Sequence, residues 1–152
     1  MHDTVVRSAL REALSCYRQG NFSSAERIVA IRPEPLHHAD LGIVLEAQGK
    51  HDDALAEYRT AIELAPHEAR PHYHLGNLLW SRREIPEAAE SFRRALTLKP
   101  DYADAHNNLG RLLMETGETE GAAAHFQRAI AADPGSHFAH NNLGTALHEL
   151  AL

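Results

Sequence analysis

Apolar residues recur along this chain at helical rather than strand spacing. Leu75, Leu78, Leu79 and Trp80 fall at helical spacing, and Ala88, Phe92, Ala95 and Leu96 do so in the next apolar run. Pro66, Pro100 and Pro134 close the second run of each pair, because proline lacks an amide hydrogen and disfavours helix in the residue before it. The pattern predicts helices near residues 3–19, 22–32, 35–48, 51–64, 69–82, 85–98, 103–116, 119–132 and 137–150, and no strand.

The same pattern repeats without a gap. His38, His72, His106 and His140 each open a five-residue segment that ends in Leu-Gly, and each lies 34 residues from the next. Ala54, Ala88 and Ala122 keep that step, as do Tyr58, Phe92 and Phe126, and then Ala61, Ala95 and Ala129. Glycine within a helix costs about 1 kcal/mol relative to alanine, so Gly42, Gly76, Gly110 and Gly144 require a packing reason. Close approach of the paired helix supplies it, and the small alanines opposite make the same allowance.

A period of 34 with Leu-Gly, a later Ala, an aromatic four residues on and a closing Pro resembles the tetratricopeptide repeat. The resemblance divides the chain into a degenerate repeat at 6–34, full repeats at 35–68, 69–102 and 103–136, and a partial repeat or capping helix at 137–152. In the degenerate repeat Gly20 and Ala25 fit a helix-turn-helix, but Pro33 comes early and shortens the second helix. The implied fold is all-α: a right-handed superhelical solenoid of about nine antiparallel helices, the first of each pair lining a concave face.

Composition narrows the partners. The chain has 152 residues and a formal net charge of -6, which favours neither a nucleic acid nor an anionic membrane surface. There is no stretch of signal-peptide or membrane-spanning type, so the expectation is a soluble, cytoplasmic protein. The single cysteine, Cys16, sits among Leu10, Ala13 and Leu14 and reads as a buried small hydrophobe rather than a nucleophile.

Candidate chemistry is sparse. The chain has no HExxH, no glycine-rich phosphate loop and no nucleophile elbow, so no catalytic residue and no cofactor is expected. Twelve histidines raise the question of metal. Repeat-equivalent histidines stand about 10 Å apart, too far for two nitrogens to share one zinc. The repeated His is therefore expected at the helix-pair interface, with its polar edge towards the turn, and no metal site is expected. Arg82-Arg83 and Arg93-Arg94, with Glu84, Glu87 and Glu90 nearby, read as a salt-bridged outer face in which Glu90 pairs with Arg94.

The implied inward face draws Leu36, Ala39, Asp40, Ile43 and Ala47 from one repeat, and Arg70, Tyr73, His74, Asn77, Trp80 and Ser81 from the next. It continues through Asp104, Asn107, Asn108, Arg111, Met114 and Glu115 to Phe138, Asn141, Asn142, Thr145 and His148. Five of the six asparagines lie here, at helix positions that asparagine does not favour. An amide donates and accepts together, which suits a peptide backbone; hydrogen bonding between repeats explains the same residues equally well.

Asn108 and Asn142, just before Leu-Gly, resemble the asparagine-lined arm of O-linked N-acetylglucosamine transferase. Repeats that clamp the C-terminal carboxylate of heat-shock chaperones present two Lys, an Arg and two Asn. Here Asn77 and Asn108 match the amides, while Tyr73, Phe138 and Asn142 stand where cations belong, so that partner class is not expected.

The expected protein is a non-enzymatic interaction module that binds a peptide segment of a partner protein. Asn77, Asn107, Asn108, Asn141 and Asn142 carry backbone contacts, and Tyr73, His74 and Arg111 set specificity. The alternatives are a substrate-recruiting arm of a larger glycosyltransferase or hydroxylase, and a scaffold that self-associates through its terminal repeats, with the C-terminal helix as the expected homo-oligomer contact.

Overall fold

A computed structural model describes Ser15 and residues 36–152. The helices expected at 3–19 and 22–32, the degenerate repeat at 6–34 and Cys16 lie outside the described residues. Seven helices follow: α1 (Leu36–Ala47), α2 (His51–Leu64), α3 (Ala69–Ser81), α4 (Ile85–Leu98), α5 (Ala103–Glu115), α6 (Thr119–Ala132) and α7 (His137–Ala151). No strand occurs among the described residues, and every helix end falls within a residue of its expected place.

The turns inside the pairs share one geometry. Gly49, Arg83 and Gly117 have φ of 76°, 64° and 83°, the left-handed region in which a helix commonly ends. The amide that follows each of them bonds back five residues: Lys50 to Leu45 at 2.9 Å, Glu84 to Leu79 at 3.0 Å and Glu118 to Leu113 at 2.8 Å. Gly49 and Gly117 adopt this conformation without a steric penalty, whereas Arg83 carries a Cβ there.

The chain forms two compact units, one up to His74 and one from Leu75 to Leu152. In the first, the α2 aromatic Tyr58 is fully buried over Gly42, and its hydroxyl donates to Glu46 at 2.8 Å. Burial is the chief reason that the phenol is held well above its usual pKa, with the neighbouring Glu46 carboxylate adding to it. Asp40 is also fully buried and ion-paired to Arg70.

The second unit repeats the glycine-to-ring contact. A Cβ on Gly76 would stand 2.8 Å from Phe92, and one on Gly110 would stand 2.6 Å from Phe126. Ala88, Ala95, Ala122 and Ala129 are buried beside these rings, as the 34-residue pattern requires. Each buried ring stabilises its pair by about 1.5–3 kcal/mol. Gly144 departs from the pattern: nothing lies within 4 Å of a Cβ placed there.

Candidate functional site

Residues three and four apart share a helix face. Asn77, Trp80 and Ser81 on α3 and Asn108, Arg111 and Glu115 on α5 thereby come together around one open cleft of about 420 Å³. Asn108 donates its side-chain amide to Oδ1 of Asn77 at 2.8 Å. The Arg111 guanidinium lies 4.8 Å from the Trp80 ring centroid, a cation over a π face.

Glu115 organises the rim. Its Oε2 accepts from the Trp80 indole N–H at 3.1 Å and from Arg83 at 3.1 Å. The other side of Trp80 meets Phe92 edge-on at 6.3 Å, so the indole belongs partly to the core and partly to the cleft. Arg83 was not singled out by the spacing of inward positions. The signal that finds it is the 34-residue step, which puts Arg83 where the neighbouring repeats have Gly49 and Gly117.

The remaining asparagines do not all join this cleft. Asn142 on α7 donates to Oδ1 of Asn107 on α5 at 2.9 Å, forming a second amide link between first helices. Asn141 is exposed. Of the two explanations that the sequence left open, hydrogen bonding between repeats is realised in both the Asn77–Asn108 and Asn107–Asn142 pairs.

In the first unit, His74 stacks on Tyr58 at 5.8 Å with 13° between the planes, and Tyr73 meets His74 edge-on at 5.2 Å. Burial pulls the His74 imidazole down to about 4, and the Arg70 guanidinium pushes the same way. His74 is thus a neutral packing ring near pH 7. Ala39 and Asp40, expected on the inward face, are buried, and the Arg70 guanidinium pairs with the Asp40 carboxylate.

Two of the four repeated histidines, His106 and His140, turn a polar edge to the preceding turn as expected. Nε2 of His106 donates to the Pro100 carbonyl at 2.9 Å, and Nε2 of His140 donates to the Pro134 carbonyl at 3.1 Å, so both polar edges face the preceding turn. Nδ1 of His38 donates to Glu57 at 2.6 Å. Glu90 stands 3.9 Å from Arg93 rather than forming the expected pair with Arg94. Among the described residues, no group of three or more His, Cys, Asp or Glu could hold a metal ion, and no helix is long and apolar enough to cross a membrane.

Helix pairs with a glycine-to-ring contact every 34 residues and left-handed turn residues define a class of helical-repeat protein. The chain belongs to the tetratricopeptide repeat family, whose model matches residues 10–69, 39–103 and 73–137. No curated protein sequence matches the chain. Among solved structures, it is similar to MamA at 25% identity over 92% of this chain and 85% of that one, with a TM-score of 0.78. PilF of Pseudomonas aeruginosa is 20% identical over 98% of this chain and 70% of its own, with a TM-score of 0.81. The first repeat domain of Spaghetti (RPAP3), bound to the HSP90 peptide SRMEEVD, is 20% identical over 77% of this chain and 93% of its own, with a TM-score of 0.74.

Proposed function

We propose that this protein is a non-enzymatic interaction module that holds a peptide segment of a partner protein along the face of α3, α5 and α7. The observation that carries the proposal is the cleft in which Asn77, Asn108 and Arg111 meet Trp80 and Glu115. Asn77 and Asn107 enter their mutual bonds through oxygen, so their N–H donors are the groups offered to carbonyls of an extended chain. Asn108, Asn141 and Asn142 complete the amide series, and Arg111 on Trp80 is the specificity element. Tyr73 and His74 are the other residues proposed to set specificity. The segments 35–68, 69–102 and 103–136 are the repeats of this module, and 137–152 is a partial repeat or cap.

The RPAP3 domain binds a peptide that ends in a carboxylate. This chain has Tyr73, Phe138 and Asn142 where a carboxylate clamp has cations, so the proposed occupant is an internal segment rather than an acidic C-terminus. Asn108 and Asn142, just before Leu-Gly, resemble the asparagine ladder of the O-linked N-acetylglucosamine transferase arm, which favours a backbone-reading mode; recruitment of substrate to a larger enzyme is the related alternative. No nucleic acid or membrane partner is proposed for this acidic chain.

The test is affinity capture from source-cell lysate with wild type and the Asn77/Asn108/Asn142→Ala variant, after circular dichroism shows that both fold. A protein retained only by wild type supports the groove. Identical retention by the two rejects it. A second reading rests on α7, where Leu147 is 51% and Leu150 is 44% exposed, three residues apart on one face. Such an apolar face is suited to self-association, and light scattering that shows a monomer at all concentrations removes that reading.

A further inference from the structure

At 3.6 residues per turn, His106 lies on the opposite side of α5 from Asn108 and Glu115. There α4, α5 and α6 enclose a second cavity of about 300 Å³, lined by Arg93, Thr97, His106, His125 and Arg128 over a floor that includes Leu109. No carboxylate lines it; Glu90 stands beside Arg93 at 3.9 Å on the same helix. His106 is 3% exposed, and its Nε2 proton is committed to the Pro100 carbonyl. A neutral His106 therefore presents a lone pair at Nδ1, and the Nδ1–H of His125 donates to it at 2.9 Å. That bond fixes the His125 tautomer and leaves its Nε2 as an acceptor.

The electrostatics are one-sided. Burial lowers both imidazoles, and the further influences on His125 are the His106 ring, Arg128 and Arg93, which hold it near 4. His106 is lowered by burial and by Arg128, against the opposing effect of its bond to Pro100. The cavity thus combines two guanidinium groups with one neutral nitrogen acceptor.

We propose that this cavity binds a hydrogen phosphate group, whose unprotonated oxygens accept from Arg93 and Arg128 and whose P–OH donates to Nε2 of His125. Arginine suits a phosphate because its planar fork matches two oxygens at once. A metal ion fits poorly, because it would displace the His106–His125 bond and sit among two arginine cations. The pairing is particular to this repeat: His38 faces Glu57 at the same separation of 19 residues at which His106 faces His125.

The test is calorimetric and NMR titration of the folded chain with inorganic phosphate, sulfate and methyl phosphate, at constant ionic strength maintained with chloride. Saturable phosphate binding is expected, weaker for sulfate, which carries no proton near neutral pH. Arg93→Gln and Arg128→Gln, both at exposed positions that keep the helices, should each weaken phosphate binding by about tenfold. His125→Phe should remove the preference for phosphate over sulfate. Methyl phosphate binding as well as inorganic phosphate identifies a phosphate monoester as the occupant, and preference for inorganic phosphate identifies the free ion; either supports the site. Absence of saturable binding, binding unchanged in both arginine variants, or zinc bound in place of phosphate overturns it.

Discussion

Phe126 lies so close over Gly110 that a Cβ on the glycine would stand 2.6 Å from the ring, and the ring itself is 1% exposed and has nowhere to move. Gly110→Ala should therefore cost about 1–3 kcal/mol in overpacking, less about 1 kcal/mol gained in helix propensity. Gly144→Ala meets no atom within 4 Å and should stabilise by up to about 1 kcal/mol through propensity alone. Urea midpoints of the two variants should move in opposite directions; a shared direction would mean that ring contact does not govern the glycine positions.

Arg83 holds a left-handed conformation, with φ of 64°, at the place where the flanking repeats have glycine. Its ion pair with Glu115 is 3.1 Å long, but the arginine is 74% exposed, so that pair contributes little. Arg83→Gly should raise stability by about 1 kcal/mol, because it relieves the Cβ clash of the left-handed turn. It should also weaken partner capture by removing one donor from the Glu115 rim. A thermal midpoint that falls on this substitution would contradict the strain argument.

Acid should destabilise the fold through its buried histidines. The imidazoles of His74 and His125 have an ordinary value of 6.5 and are held near 4 in the folded chain, so the unfolded chain binds more protons between those limits. Stability is full above 6.5 and is lost as pH falls from 6.5 towards about 4. A single His74→Gln or His125→Gln substitution should flatten part of that slope in a series of urea denaturations across the same window. An unchanged slope in both would remove these rings as the cause.

The amide pairs join stability to binding. Asn142→Ala removes the 2.9 Å bond to Asn107 and should cost about 0.5–1.5 kcal/mol. Asn141→Ala, at an exposed position without such a link, should leave stability within about 0.5 kcal/mol while reducing partner capture. Chemical denaturation and capture measured on the same two proteins separate the roles.

Breaking the Asp40–Arg70 pair should be among the costlier changes. Asp40 is fully buried, and Arg70→Met would remove the guanidinium from beside its carboxylate. A loss of about 3 kcal/mol is expected, against a smaller loss for Asp40→Asn, which removes the buried charge itself. Comparing the two midpoints tests whether the charge or the packing matters.

Helix limits and the close helix approach at Gly42, Gly76 and Gly110 were legible in the amino-acid order, because a 34-residue period repeats the same local and pairwise demands; that an aromatic ring fills each approach was not. The turn-facing edge of His106 was legible for the same reason. The partners of individual polar side chains were not. Asp40 has the spacing of an inward residue, but Arg70, 30 residues away, pairs with it. Glu115 and Arg83, 32 residues apart, meet only because successive first helices lie side by side. The opposition of His106 and His125 likewise depends on the packing of α5 against α6, since their equivalents, His38 and Glu57, have the same separation and a different chemistry. Periodicity along the chain determined the helices and their buried seams, because apolar burial follows spacing. Which polar groups meet was decided by tertiary packing, because a hydrogen bond depends on distances of a few tenths of an ångström that spacing does not encode.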